Sequence, residues 1–134
     1  MSFEDKIEYK NNAEVTDEHL NELFSASWPN HQPSSFRMVL SLSLVYVCAF
    51  RATELIGYVN VAWDGRSHAF ILDPTVHPRY RRQGIGQQLV LSAIAAAREH
   101  GVAWMHVDFE PHLREFYAQC GFRASEAGIV NLAG

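Results

Sequence analysis

The stretch VHPRYRRQGIG, residues 76–86, joins the end of an apolar run to the start of an amphipathic one. The first backbone N–H groups of a helix have no partner within it and carry partial positive charge, so they bind anions. Gly84 and Gly86 present no side chain that would keep a ligand away from those groups. Three arginines add positive charge to the same stretch: Arg79, Arg81 and Arg82. The stretch therefore predicts a pocket for a diphosphate or a similar anion.

The same glycines also fit a simpler interpretation, in which they only allow a tight turn between a strand and a helix. Two familiar nucleotide-binding patterns do not apply. A Rossmann fingerprint would need glycine at position 89, which is Leu89, and no Gly-Lys-Ser/Thr follows for a P-loop.

Outward from this stretch, the hydrophobic pattern predicts alternating blocks of strand and helix. Residues 6–10, 44–50, 55–63, 68–76 and 102–109 favour strands, and Asp64-Gly65 favours a hairpin turn. Helices are predicted after the N-cap Thr16, from Ser34 or Ser35 with Phe36, Val39 and Leu40 facing inward, from Ile85 to His100, and from Pro111 to Cys120. The tail from residue 122 has room for one or two brief strands at most. A meander followed by strand–helix–strand–helix predicts an α+β fold, with a mixed, mostly antiparallel central sheet and helices on both faces.

Composition excludes several classes of protein. The 134 residues fit one domain spanning 1–134. Lys and Arg number 11 against 15 Asp and Glu, so the net charge is −4, which disfavours nucleic acid and anionic membranes as partners. No apolar run approaches the ~18 residues of a membrane span, and residues 1–6 lack the apolar stretch of an export signal. Two cysteines and unpatterned histidines predict no metal site. We expect a cytoplasmic protein.

Two motifs resemble those of the GNAT superfamily of N-acetyltransferases. Residues 81–86, RRQGIG, resemble the family's Arg/Gln-x-x-Gly-x-Gly/Ala signature. Residues 116–122, FYAQCGF, resemble its Phe/Leu-Tyr-x-x-x-Gly-Phe segment, and the helix, strand and helix between the two motifs also fit. The resemblance runs from about residue 6 to the end and implies the GNAT fold.

What this resemblance implies first is acetyl-CoA, or another acyl-CoA, as co-substrate. In the family the diphosphate lies on the backbone of this loop, here Arg81, Arg82, Gln83, Gly84, Ile85, Gly86 and Gln87. The pantetheine arm would run along the preceding strand near Val76 and His77. Its thioester would then end between the strands predicted at 68–76 and 102–109.

The resemblance also implies that Tyr117 lies beside the thioester sulfur, where its phenol can protonate the departing thiolate. Without the family resemblance, the sequence pattern would predict that Tyr117 is a core residue of an amphipathic helix. The base is open. The candidates near the expected centre are Asp73, His77, Asp108, Glu110 and His112, of which Glu110 and Asp73 lead, and a chain of water molecules is an equal alternative. Strict alternation from Val76 puts Asp73 on the wrong face of its strand unless the strand contains a bulge.

The resemblance implies one of two alternative functions. The first is direct transfer of an acetyl group to a primary amine within a ternary complex. The second is a non-catalytic acyl-CoA-binding or interaction module with the same fold. The acceptor could be a small molecule or a peptide amine, and the short tail after Phe122 suggests a homodimer formed through that edge.

Overall fold

A computed structural model describes residues 6–134, so the opening stretch that we interpreted as lacking an export signal lies largely outside the described residues. The strands are β1 (Ile7–Asn11), β2 (Val45–Arg51), β3 (Glu54–Trp63), β4 (His68–Val76) and β5 (Trp104–His106). The helices are α1 (Asp17–Ser27), α2 (Arg37–Leu42), α3 (Ile85–Glu99) and α4 (Arg114–Gln119), with short 3-10 turns at Pro78–Tyr80 and Pro111–Leu113.

The strands form one mixed sheet in the order β1-β2-β3-β4-β5. The first three pairings are antiparallel, and only β4 and β5 run parallel. Short turns join β2 to β3 and β3 to β4, as antiparallel neighbours allow, whereas α1 and α2 lie between β1 and β2. Helix α3 makes the crossover that a parallel pair requires. This architecture confirms the predicted mixed, mostly antiparallel sheet.

Helices cover both faces of the sheet because the inner strands are apolar on both sides. Val45, Val47 and Ala49 of β2 pack in one cluster with Leu89 of α3. The alternate β2 side chains belong to a second cluster, which contains Leu20, Leu23 and Phe24 of α1. Successive side chains of a strand point to opposite faces, so α1 and α3 lie on opposite sides of the sheet. The predicted placement of helices on both faces is confirmed.

The register shifts at two places in the meander. One shift lies between Ala49 and Phe50 of β2, and the other lies between Tyr58 and Asn60 of β3. At the second shift the facing strand contains Asp73, whose φ of 54° is in the left-handed region. The irregularity that the sequence analysis considered for this strand is therefore present, although Asp73 lies on the face opposite Val76, as alternation predicted.

Two sequence-based boundaries were wrong. The second helix begins at Arg37 and not at residue 34 or 35, because α1 side chains bind the backbone before it: Asn21 Oδ1 accepts the N–H of Ser34, and Asp17 Oδ1 accepts that of Phe36. Val39 was predicted to face inward, but it is 45% exposed because this six-residue helix buries none of its residues.

The last strand is also shorter than predicted, covering Trp104–His106 and not 102–109. Its only partner strand within residues 6–134 is β4, and the two are paired over three residues each. The described tail from residue 122 contains no strand, within the limit that we predicted. No helix within residues 6–134 is both long enough and apolar enough to cross a membrane.

Gly57 on β3 marks where α3 lies closest to the sheet. A Cβ atom there would be 3.0 Å from Leu89 Cδ1, 3.2 Å from Ala49 Cβ and 3.3 Å from Ile85 Cγ2. We expect Gly57→Ala to lower the free energy of unfolding by ~1–3 kcal/mol, because the added methyl overpacks this contact. Urea denaturation measures the change. Gly128→Ala, whose added methyl would meet nothing within 4 Å, is the control, and equal effects of the two would contradict this packing.

Candidate functional site

The candidate site begins where β4 and β5 part. The two strands pair at His68 with Trp104, Ala69 with Met105 and Phe70 with His106, and β5 ends there. Strand β4 continues for six residues to Val76. Within the described chain no strand pairs with the outer edge of β4 over residues 71–76. Backbone groups at an open edge can complete their hydrogen bonds with an extended ligand.

The loop that follows β4 is held at its entry by hydrogen bonds. The N–H of His77 donates to Ile56 O at 2.8 Å, and His77 Nδ1 accepts from the N–H of Arg79 at 3.1 Å. Tyr80 N–H donates to His77 O at 2.9 Å, and Arg81 Nε donates to Val76 O at 3.2 Å. Val76 and His77 are therefore fixed in position at the end of the open edge.

Tyr80 fastens the same loop to the hairpin between β2 and β3. Its hydroxyl accepts from Arg51 Nη1 at 2.9 Å and donates to Glu54 Oε1 at 3.2 Å. Arg79 Nη2 lies 3.7 Å from the other oxygen of Glu54. Arg79 therefore points toward the β2–β3 hairpin, although it is one of the three arginines that the sequence predicted at the anion pocket.

The turn into α3 presents free backbone donors. Arg82 and Gly84 have φ angles of 64° and 81°, both left-handed, and Gly84 is the N-cap of α3. The first helical hydrogen bond runs from Gln88 N–H to Gly84 O. Within residues 6–134, no protein group accepts a hydrogen bond from the backbone N–H groups of residues 82–87. A helix N-terminus in this condition binds anions.

Gly86, in the first turn of α3, lies close to Phe116 of α4 and Val76 of β4. A Cβ atom at this position would be 3.5 Å from Phe116 Cζ and 3.7 Å from Val76 Cγ2, which are ordinary contact distances. A Cβ at Gly84 would meet nothing within 4 Å. Packing against the protein therefore does not demand glycine at Gly86, whereas the positive φ favours it at Gly84.

Tyr117 lies on α4 in a cluster with Val90 of α3, and only 3% of it is exposed. Its ring stacks on Phe109 at a centroid distance of 4.9 Å. Burial, with a smaller contribution from nearby Cys120 and Asp108, raises the pKa of the Tyr117 phenol. No described residue hydrogen-bonds to its hydroxyl. Every fully buried polar side-chain atom of the described residues has a hydrogen-bond partner, so this oxygen is not fully buried. The hydroxyl is therefore neutral at physiological pH and accessible from solvent.

Asp73 lies on the open part of β4. Its backbone carbonyl accepts from Thr75 Oγ1 at 2.9 Å. Although the side chain touches solvent, protein atoms crowd the carboxyl, and this desolvation raises its pKa. Burial and then the charge of Asp73 raise the pKa of Tyr58, whose ring packs in the α1 cluster. The carboxyl of Asp73 is thus close to the α1 face, opposite the face that carries α3.

Glu110 directly follows Phe109, the residue stacked on Tyr117. It is exposed, and its backbone carbonyl accepts the N–H of Leu113 at 2.9 Å in a 3-10 turn. Its side chain makes no cap hydrogen bond. Glu110 therefore lies near the site with a free carboxylate, but without the crowding that affects Asp73.

The sequence analysis missed a pair of histidines at the point where the strands part. His68 Nδ1 and His106 Nε2 are 2.8 Å apart, and the His106 ring stacks on Phe70 at 4.8 Å. The only available signal was that both lie on predicted strands, because the parallel register that unites them depends on the tertiary fold. No group of three or more His, Cys, Asp or Glu in the described residues is placed to hold a metal ion.

Two surface cavities lie apart from this gap. One, of about 470 Å³, is lined by Asp17, Arg37 and Tyr46 among others. The other, of about 340 Å³, lies between α1 and the β2–β3 hairpin and includes His77 in its wall. Neither is lined by Tyr117 or by the glycines of the α3 turn.

Comparisons with known proteins agree with this geometry. The sequence profile of the acetyltransferase (GNAT) family matches residues 13–122. An uncharacterised N-acetyltransferase of Pyropia yezoensis is 23% identical over 138 residues, covering 96% of this chain and 79% of that protein. The chain spans only 62% and 64% of the length of two further N-acetyltransferases that it matches, from Gracilaria tenuistipitata and Porphyra purpurea.

Solved structures share the fold. A GNAT acetyltransferase from Streptococcus pneumoniae superimposes with a TM-score of 0.76 at 27% identity, over 95% of this chain and 99% of that one. The aminoglycoside N-acetyltransferase AAC(6')-Iy, solved in complex with CoA, superimposes with a TM-score of 0.73 at 18% identity, over 94% and 93% of the two chains. At this identity, the similarity to AAC(6')-Iy shows only that the two chains share a fold.

Proposed function

This chain belongs to the acetyltransferase (GNAT) family, and from that premise we propose that it transfers an acetyl group from acetyl-CoA to a primary amine. The amine attacks the thioester directly while both substrates are bound. The observation that carries this proposal is the row of unpaired N–H groups at 82–87, which lies at the end of an open strand edge. A diphosphate and an extended amide-bearing arm are the ligand features that complement these two neighbouring structures.

The donor would be held by backbone more than by side chains. Its diphosphate would lie on the α3 turn, at Arg81, Arg82, Gln83, Gly84, Ile85, Gly86 and Gln87. Its pantetheine arm would pair with β4 near Val76 and His77, which the loop contacts already hold in place. A backbone N–H on the open part of β4 would then donate to the oxyanion that forms during attack.

Tyr117 is the proposed general acid. When the tetrahedral intermediate collapses, the C–S bond breaks and the phenol donates its proton to the departing thiolate. The raised pKa of Tyr117 keeps that proton in place over the whole neutral range. No described residue hydrogen-bonds to its hydroxyl, which would leave this group available to the sulfur.

Asp73 and Glu110 are the two carboxylates proposed to act on the amine. Asp73 is the better placed, because crowding raises its pKa and makes it a stronger proton acceptor than an ordinary aspartate. Its negative charge also attracts an ammonium group. Glu110 and a chain of water molecules are the alternatives.

A covalent acetyl-cysteine is disfavoured by the state of both thiols. Cys48 is buried, which raises its pKa to about 12, and burial also raises the pKa of Cys120. Because the thiolate is the nucleophile, neither cysteine supplies one at neutral pH. This supports direct attack by the amine.

Several further predictions accompany this function and stay predictions. They are a single domain over 1–134, a cytoplasmic location, an amine acceptor that is a small molecule or a peptide, no nucleic-acid or membrane partner, and a homodimer. The family and the CoA complex of a structural neighbour support acetyl-CoA as the co-substrate.

Release of free thiol from acetyl-CoA across a panel of primary amines tests the proposal, with calorimetry of acetyl-CoA binding alongside. We expect micromolar to millimolar donor affinity and turnover on at least one amine, as is usual for enzymes. Binding without turnover on any amine would support the non-catalytic acyl-CoA module instead. Absence of binding would contradict both.

Replacement of the proposed acid gives a sharper result. Tyr117→Phe is expected to lower kcat by about 10- to 10⁴-fold, the range that general acids contribute, because only the transferable proton is removed. Acetyl-CoA affinity by calorimetry should change little. An unchanged kcat would remove Tyr117 from the mechanism.

A single added charge tests the diphosphate site. Gln87→Glu puts a carboxylate at the third position of α3, where it favours the helix but repels a diphosphate. We expect about 10-fold weaker acetyl-CoA binding at low salt, a smaller deficit at high salt, and undiminished thermal stability. Gln32→Glu, in the exposed loop before α2, makes the same charge change elsewhere and is the control. Equal affinities for both variants would place the diphosphate away from α3.

A further inference from the structure

Two imidazoles form a direct hydrogen bond at the closed end of the gap between β4 and β5. His68 Nδ1 lies 2.8 Å from His106 Nε2, with the rings 5.1 Å apart between centroids. We propose that this pair is the route by which the proton of the acceptor amine leaves the site. The inference rests on the proposed function and assigns a proton acceptor to it.

The pair lies at the place where the thioester is expected to stop. Phe70 and His106 form the last paired position of the two strands, and the open edge of β4 runs from there to Val76. Six residues of strand span ~20 Å, which separates this position from the diphosphate site. An arm that follows the open edge from α3 comes to an end against His106, where the strands close.

The pair also lies on the side of the sheet opposite the proposed acid. Ala69 and Ile71 of β4 point into the cluster under α3, so His68 and Phe70 point to the other face. Tyr117 belongs to a cluster with Val90 of α3. An amine that reaches the thioester through the gap from the α1 face would therefore meet His106, while the sulfur stays on the Tyr117 side.

The geometry allows one proton to pass without breaking the pair. The N···N bond contains one proton, so His106 Nε2–H can donate to His68 Nδ1 while His106 Nδ1 keeps a free lone pair. The ammonium gives its proton to His106 Nδ1, the Nε2 proton shifts to His68 Nδ1, and His68 releases its Nε2 proton to water.

The neutral amine then attacks the thioester carbon. When the intermediate collapses, Tyr117 protonates the departing thiolate, and the second proton of the amine nitrogen restores the Tyr117 phenol. After the product leaves, His106 Nδ1 gives its proton to water, the shared proton shifts back, and His68 Nε2 takes one proton from water, which restores the starting tautomers. One proton is released in each turnover.

The surroundings favour a transient positive charge on the pair. Phe70 stacks on His106 with 19° between the ring planes, which places an aromatic face against the imidazolium. The carboxylate of Asp64, in the β3–β4 turn, accepts the backbone N–H of His68 at 3.1 Å. Backbone hydrogen bonds first, and then the His68 charge, lower the pKa of Asp64, so it stays ionised beside the pair. Trp104, paired with His68 and 57% exposed, completes the apolar rim.

The pair and Asp73 take different steps in this scheme. The Asp73 carboxylate, three residues beyond Phe70 on β4, supplies the negative charge that draws the ammonium in. Proton removal falls to imidazole because His106 is hydrogen-bonded to His68 and can pass a proton on to it, whereas no described residue hydrogen-bonds to the Asp73 carboxylate.

The test is the pH profile of kcat/KM for the most reactive amine of the panel, from about pH 6 to pH 10. We expect His106→Gln to lower kcat/KM about 10²-fold near neutral pH, with the deficit shrinking at high pH, where the amine loses its proton unaided. His68→Gln should show a smaller deficit of the same form. The KM for acetyl-CoA should not change in either variant. His19→Gln, which keeps a favoured residue at the third position of α1, is the matched control.

A deficit that is the same at every pH would overturn the proposal, because it would mean that His106 only shapes the site. A pH-dependent deficit in Asp73→Asn without one in His106→Gln would give the role to the carboxylate. NMR of the imidazole nitrogens in the protein without amine provides a readout independent of activity. We expect His68→Gln to change the chemical shift of His106 Nε2, and an unchanged shift would show that the two rings do not share a proton. Turnover on no amine would remove the proposed function itself, and this inference with it.

Discussion

The candidate site depends on how short the parallel pairing between β4 and β5 is. Strands β4 and β5 are paired over three residues each and then separate, so β4 continues to Val76 with one edge unpaired. Buried backbone donors and acceptors need partners, and a sheet that opens in this way offers them to a ligand. Helix α3 begins at the far end of the same opening, which aligns its unpaired N–H groups with that edge.

Packing of α3 against the sheet keeps this opening in place. Gly57 lets Leu89 and Ile85 approach β3 to within ordinary contact, and Val90, on the same helix, holds Tyr117 of α4. Phe116 lies beside Gly86 at the helix start. One helix therefore fixes both the proposed diphosphate cradle and the proposed acid, and a shift of α3 would move both together.

The two faces of the sheet divide the chemistry of the proposed reaction. Tyr117 lies on the α3 side, where a thiol leaving group would be protonated, and its raised pKa suits a donor. The His68–His106 pair lies on the other side, where an amine would give up its proton. Asp73 also lies toward that side, on the face opposite Val76, where β4 faces the register shift between Tyr58 and Asn60. The proposed acid and the proposed proton acceptor therefore lie on opposite faces of the sheet.

The sequence by itself determined the family, through the resemblance of residues 81–86 and 116–122 to its motifs. It also determined the mixed sheet with helices on both faces and the loop at 76–86, because local periodicity and turn-forming glycines are properties of neighbouring residues. It offered Tyr117 by motif position, and Asp73 and Glu110 as acidic residues near the expected centre. Only the tertiary structure decided that the last strand stops at His106, that the register of β3 and β4 shifts beside Asp73, and that His68 and His106 meet. Those outcomes depend on the register between strands separated by a whole helix, and register is set by packing across the sheet, which no local pattern encodes.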